Sequence, residues 1–223
     1  MENTTDSLRT KLRNIAVLKG PFPDANLGAL PDTPHDAFAV WLEKAIVEGV
    51  AEPHAMTLST VDENGWPDAR VLILKNIDHR GWHFAIKADS PKGQQIAKNQ
   101  RVALTFYWPQ MARQVRLRGR AVQLPEEECI QDFTARPPGS KISAMASRQS
   151  EVLNTHDELA ESLIEAQSML EKSPNHVMSG WKVYAVAPDV VEFWQGKSDR
   201  LHERLRYVQM TDVNNWEKEN LWP

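Results

Sequence analysis

The chain has 223 residues, 41% of them hydrophobic and 25% charged, with a formal net charge of −4. These values describe a globular chain able to bury one sizeable core, and they exclude wholesale disorder and a broadly basic nucleic-acid binder. A single cysteine, Cys129, rules out an intrachain disulfide; with no signal segment or long apolar run in view, a cytoplasmic enzyme or binding protein is expected, with neither a membrane nor a nucleic-acid partner.

In chain order, residues 1–33 read as an N-terminal arm ahead of one domain over 34–223. The arm's weak apolar pattern (Leu8, Leu12, Ile15, Val17) is compatible with a short helix or a mobile segment, and the breaker-rich residues 20–34 should run extended. Thr33 is placed to cap a helix with Pro34 in its first position, Phe38, Trp41, Leu42, Ala45 and Ile46 on one face, and Gly49 at its end. Strand patterns over 55–61, 68–74 and 82–88, with turns at 62–65 and 78–81, predict two successive hairpins. Ser90 and Pro91 open a short helix to Lys98, and strands follow over 101–108 and 113–124; in the latter Val115 and Leu117 face away from Gln114, Arg116 and Arg118.

Three glutamates begin a helix over 125–135, and another turn or two is expected over 140–147. Thr155 to Glu158 has capping-box form and leads an amphipathic helix bearing Leu159, Leu163, Ala166 and Leu170, which Ser173 and Pro174 stop. Strands over 181–186, 190–195 and 200–207 precede a short polar tail. Hairpins with inserted helices predict a mainly β chain with peripheral helices (α+β), an antiparallel barrel or sandwich.

Residues 191–207 carry the strongest functional signal. As a strand, they would place Arg200, His202 and Arg204 on one face, where they repel one another unless something anionic or electron-rich lies against them. Trp194 adds a flat stacking surface, so a phosphorylated or electron-accepting aromatic ligand fits, and so does a solvated edge strand. No dinucleotide fingerprint or P-loop is present, which leaves scattered side chains to hold a phosphate: Arg70, Lys92 near a helix N-terminus, and the Arg148-Gln149-Ser150 run. No metal is expected, because the histidines lack cysteine partners, and no nucleophile elbow is present. Asp199 and Glu203 flank the arginines, where ion pairing is the simpler reading than acid and base roles. Eight tryptophans point to a ligand cavity or a subunit interface.

Taken together, Arg70-Val-Leu-Ile-Leu-Lys75, Ser90-Pro-Lys-Gly93, Arg113-Gln-Val115, Arg136-Pro137 with Ser140, Ala146-Ser-Arg-Gln-Ser150, Glu192-Phe-Trp-Gln-Gly196 and Arg200-Leu-His-Glu-Arg204 resemble the pyridoxamine 5′-phosphate oxidase family of FMN-dependent oxidases. The resemblance runs from about Trp41 to the C-terminus. It implies a split β-barrel homodimer that binds FMN at the subunit interface and oxidises a small aromatic substrate, with O2 as the final acceptor. It assigns the FMN phosphate to Arg70 and Lys92, with Gln149 and Ser150 beside them. Val71, Leu72, Lys75, Ala85 and Ile86 join the cofactor site, and Gln114, Trp194 and Arg204 reach the flavin from across the interface. Lys75, Arg136 and Ser140, with Asp132 beside them, line the substrate phosphate site, and Arg200 and His202 lie over the substrate ring as the catalytic pair.

Three departures bear on the substrate. Asp132 stands where the family usually has a tyrosine, Pro91 stands where an arginine is common, and the N-terminal Arg-x-x-Tyr segment is missing. Gly20-Pro-Phe-Pro23 with Leu30-Pro31 looks more like the phenazine-biosynthesis branch, whereas Lys75 and Phe193-Trp-Gln-Gly196 resemble the vitamin B6 enzymes. The expected activity is oxidation of pyridoxamine or pyridoxine 5′-phosphate; oxidation of a reduced tricyclic aromatic and flavin binding without turnover are the alternatives.

Overall fold

The computed structural model describes residues 4–23, 25–210 and 215–223, so residues 1–3 and 24 of the expected arm and residues 211–214 of the expected tail lie outside it. The helices are α1 (Thr4–Arg13), α2 (Pro34–Val47), α3 (Pro91–Lys98), α4 (Glu126–Thr134), α5 (Pro138–Ala146) and α6 (His156–Lys172). The strands are β1 (Ala55–Val61), β2 (Pro67–Ile73), β3 (Asn76–Asp78), β4 (Gly81–Lys87), β5 (Arg101–Trp108), β6 (Arg113–Gln123), β7 (Trp181–Gln195), β8 (Glu203–Gln209) and β9 (Trp216–Asn220). Among the described residues no helix is long and apolar enough to cross a membrane.

All strand pairs are antiparallel, in the order β2-β1-β5-β6-β7-β4-β3, with β8 paired to β7 and β9 to β8. The first expected hairpin forms as β1 and β2, its turn closed by Asp62 Oδ1 accepting from the backbone N–H groups of Asn64 at 2.9 Å and Trp66 at 2.8 Å. The second differs from expectation: β2 does not pair with β4, and the short strand β3 turns back on β4 instead. The two strands expected over 181–186 and 190–195 are one bent strand. Along one edge β7 pairs with β6 from Tyr184 to Gln195; along the other it pairs with β4 over its first half and β8 over its second. Pro188, which cannot donate to a ladder, marks the bend, and the β6 register shifts opposite it between Arg118 and Gly119. The expected polar tail contains β9, held to β8 from Leu205 to Gln209.

The sheet curls around an aromatic core. Phe38 and Trp41 from α2 enter it; Phe38 lies 4.7 Å from Phe106 and 5.6 Å from Trp82, and Trp41 lies edge-on to Phe193 at 5.1 Å. Rings of this size bury about 150–250 Å² each and fix their neighbours by offset and edge contacts. Thr33 caps α2 as the sequence predicts, accepting from Asp36 N–H at 3.2 Å, but Ile46 is exposed and Ala37 takes the buried position. Leu27 and Leu30, in the segment ahead of α2, also enter this core. Two smaller clusters lie outside the barrel: Cys129 with Leu124, Val183 and Ala185, and Phe133 with Ala144 and Trp181. α6 rests on α5 and buries Ala166, leaving Leu159 and Leu163 of its expected apolar face exposed.

Candidate functional site

The residues that the sequence singles out gather in three places, each built by different elements. The first is the N-terminal end of α3. Ser90 caps this helix, its hydroxyl accepting from Gly93 N–H at 3.3 Å and donating to the Lys87 carbonyl at 2.7 Å. Lys92, in the first turn, is only 6% exposed, and its ammonium donates to Gln149 Oε1 at 2.5 Å. Burial holds the Lys92 pKa below the ordinary lysine value, with the Arg70 charge and then Lys87 pushing the same way against Asp89.

Arg70 donates to Thr60 Oγ1 at 2.6 Å and pairs with Asp68, while Gln95 of α3 accepts from Thr60 at 2.5 Å. Lys87, itself buried, donates to the Ser147 carbonyl. Leu72 packs on the main core while Val71 turns outward, as strand alternation requires. Gln149 is exposed, and Ser150 beside it takes a left-handed backbone, φ 71°. Three clustered cations, two of them buried, at the N-terminus of a helix form an anion cradle, so this donor set fits the phosphate of FMN.

The second place lies at the other end of α5, a nine-residue helix about 14 Å long, with Ser140 in its first turn and Gln149 and Ser150 beyond its end. Lys75 Nζ stands 3.3 Å from Asp132 Oδ1, and Asp132 Oδ2 accepts from Trp181 Nε1 at 2.8 Å. The Arg136 guanidinium lies 4.3 Å above the Trp181 ring and donates to the Ser140 carbonyl at 3.0 Å, while its Nε–H is buried without a partner. Burial lowers the Arg136 pKa, and Asp132 opposes that shift. Ala85 packs towards Phe133 and Trp181, whereas Ile86 turns into the main core.

The third place is a row across β6, β7 and β8, in which Gln114 stands opposite Trp194 and Trp194 opposite Arg204. Directly opposed residues share a sheet face. The expected alternation of Arg200, His202 and Arg204 along one strand does not form, because β8 begins only at Glu203. Arg200 instead occupies an exposed turn with φ 67°, where Asp199 accepts from Leu201 N–H at 2.9 Å. His202 lies 4.9 Å from the Trp194 ring, and its Nδ1 accepts from Lys197 N–H at 3.1 Å, which leaves the proton on Nε2. Glu203 pairs with Lys197 at 2.5 Å rather than with an arginine.

The anion that Arg204 needs is within the chain itself. Buried Glu192 accepts from Arg204 Nε at 2.9 Å and from Arg116 Nη2 at 2.6 Å. Burial pushes the Glu192 pKa up, but the two arginine hydrogen bonds outweigh it and hold it below the usual carboxylate value. Sequence reading gave Glu192 no role, although an acid within the apolar run from Val190 to Phe193 is a signal for a buried pair. Lys87 and Trp181 were also missed, since each acts through a contact about fifty or sixty positions away. A cavity of about 710 Å³ between α2, β3 and β9 is lined by His35, Asp78, Arg80 and Trp216 and by none of the expected site residues. A cavity of about 250 Å³ is lined by Gln149 and Ser150, and one of about 290 Å³ by Arg116, Glu192 and Arg206.

Residues 42–169 match the family profile described as pyridoxamine 5′-phosphate oxidase, and residues 181–223 match that of the pyridoxine 5′-phosphate oxidase C-terminal dimerisation region. A pyridoxine/pyridoxamine 5′-phosphate oxidase of Rubrobacter xylanophilus is 40% identical over 214 residues, 95% of this chain and 97% of that one. One from Haemophilus influenzae is 42% identical over 192 residues, 85% and 89% of the two chains. Among solved structures, PhzG from Burkholderia lata 383, in complex with tetrahydrophenazine-1-carboxylic acid, is 28% identical, with a TM-score of 0.82 over 93% of this chain and 100% of that one. An FMN-binding protein from Nostoc punctiforme, 16% identical with a TM-score of 0.68, shares the fold.

Proposed function

Because this chain belongs to the pyridoxamine 5′-phosphate oxidase family, we propose that it is an FMN-dependent oxidase of a planar aromatic substrate bearing an anionic group, and that it works as a homodimer. The observation that carries this reading is the buried Lys92 beside Arg70 and Gln149, a desolvated cation at a helix N-terminus that gains most from a phosphate. FMN, when bound, supplies the acceptor for a hydride from the substrate carbon and passes the electrons to O2, giving hydrogen peroxide.

The chain's own side chains then bind and orient. Arg70, Lys92, Gln149 and Ser150 hold the cofactor phosphate. Gln114, Trp194 and Arg204 approach the ring from the second copy, whose C-terminal region matches the dimerisation profile. Arg200 and His202 cover the substrate ring, and Lys75, Arg136 and Ser140 hold its anionic group. Two rings kept in register do more for such a transfer than a strong base.

The names of the relatives make pyridoxine 5′-phosphate the first substrate to test; the ion pair between Lys75 and Asp132 favours a second reading, a reduced tricyclic carboxylate like that in the Burkholderia complex. Anaerobic mixing of the FMN-loaded protein with each compound decides: bleaching of the yellow flavin by one identifies the substrate class. Stoichiometric FMN with no bleaching by either would leave a flavin-binding protein without this turnover.

A further inference from the structure

Resting on the flavin-oxidase reading, we infer that Asp132 makes the substrate-side anion corner selective for a singly charged group, a carboxylate, over a phosphate dianion. Asp132 is held in the corner from both sides: one oxygen is 3.3 Å from Lys75 Nζ and the other accepts from Trp181 Nε1 at 2.8 Å. The side chains of Lys75 and Asp132 keep 32% and 18% of their exposure, so a ligand reaches them. Two cations, Lys75 and Arg136, against one fixed carboxylate leave a single net positive charge.

Arg136 adds the geometric half of the argument. Stacked on Trp181 and tied to the Ser140 carbonyl, it still has a buried Nε–H with no partner. A buried donor left unpaired is costly, and a turn of the guanidinium toward an incoming anion would satisfy it. A monoanion matches that one donor and that one net charge. A dianion must either break the Lys75 ion pair or face the Asp132 carboxylate at a few ångströms, a repulsion equivalent to about tenfold or more in affinity at the effective dielectric of a partly buried site. The favoured substrate is therefore a planar aromatic carrying a carboxylate.

Asp132→Asn tests this, because the amide oxygen still accepts from Trp181 while the charge is gone. Dissociation constants for two already oxidised ligands, pyridoxal 5′-phosphate and phenazine-1-carboxylate, are measured by calorimetry on the FMN-loaded wild type and variant, near pH 8, where the phosphate is a dianion. The variant should bind the phosphate about tenfold more tightly and the carboxylate within about threefold of wild type. An unchanged phosphate affinity, or equal gains for both ligands, overturns the proposal. Asp132→Ser provides the same contrast should asparagine disturb the Trp181 contact. FMN uptake is measured first. A chain that takes up none overturns the flavin reading alone, and titration of the FMN-free protein with inorganic phosphate and benzoate then judges Asp132 on the same criterion.

Discussion

Lys92 and Gln149, 57 positions apart, meet at the first turn of α3, where the ammonium donates to the amide oxygen at 2.5 Å. An uncharged amide is a weak partner for a buried cation whose pKa burial already depresses. Lys92→Met, which keeps the stem and removes the charge, should therefore act with opposite signs on two measurements. Flavin fluorescence quenching should report FMN binding weakened about tenfold or more, while the FMN-free variant melts higher, by about 1 kcal/mol of stability. Unchanged FMN affinity would place the phosphate elsewhere.

Glu192 fixes Arg204 and Arg116 from within the sheet, and its side chain is 6% exposed. Its folded pKa lies below the ordinary 4.5, so the stability it contributes is complete above that value and is lost as pH falls through the folded value. Glu192→Gln should cost about 3 kcal/mol near neutrality, with the gap to wild type closing in acid. Urea unfolding at several pH values checks it; a gap that stays constant with pH would show that the charge is not what matters.

The sequence made the local parts legible and left the long-range ones hidden. The caps at Thr33, Ser90 and Thr155 each accept the expected backbone N–H, because capping depends on residues three apart. Strands β1 and β5 fall where alternation places them. The β3 turn-back, the single bent β7 and the late start of β8 depend on which strands become neighbours, and periodicity carries no such information. The same limit applies to the site. Lys92 stands out through its cap and proline, whereas the closure of Asp132 by Trp181 joins positions 49 apart and could only be seen in the fold.

His35 offers a pH test away from the proposed site. Its ring stacks on Trp82 at 4.8 Å, its Nε2 is buried without a partner, and burial holds its pKa below 6.5 despite the raising influence of Asp36 and Asp78. Above pH 6.5 both folded and unfolded chains carry the neutral ring, so nothing changes there. Below it the unfolded chain takes up the proton first, and stability falls until the lower folded value is passed. His35→Phe keeps the stack and should flatten this acid-side loss; melting temperatures between about pH 7.5 and 5.0 measure it. Parallel curves for variant and wild type would move the proton uptake to another group, with His83 next in line because burial lowers its pKa too.

Gly119 and Pro188 tie the architecture to the site. They stand opposite each other where β7 bends, and a Cβ on Gly119 would lie 2.0 Å from the Ala187 carbonyl oxygen and 2.7 Å from Pro188 Cα. Both are backbone atoms, so no rotamer relieves the clash. Gly119→Ala should lose about 3 kcal/mol or more, and because the same β6 and β7 ladder sets Gln114 opposite Trp194, any folded fraction should also bind FMN more weakly. Gly139→Ala is the control: nothing lies within 4 Å of its Cβ position on α5, and the change should be neutral or stabilise by about 0.5 kcal/mol. Urea midpoints of the two variants should move apart. Equal midpoints would mean that the β7 bend tolerates a wider approach, and that the Gln114, Trp194 and Arg204 row is aligned by β8 instead.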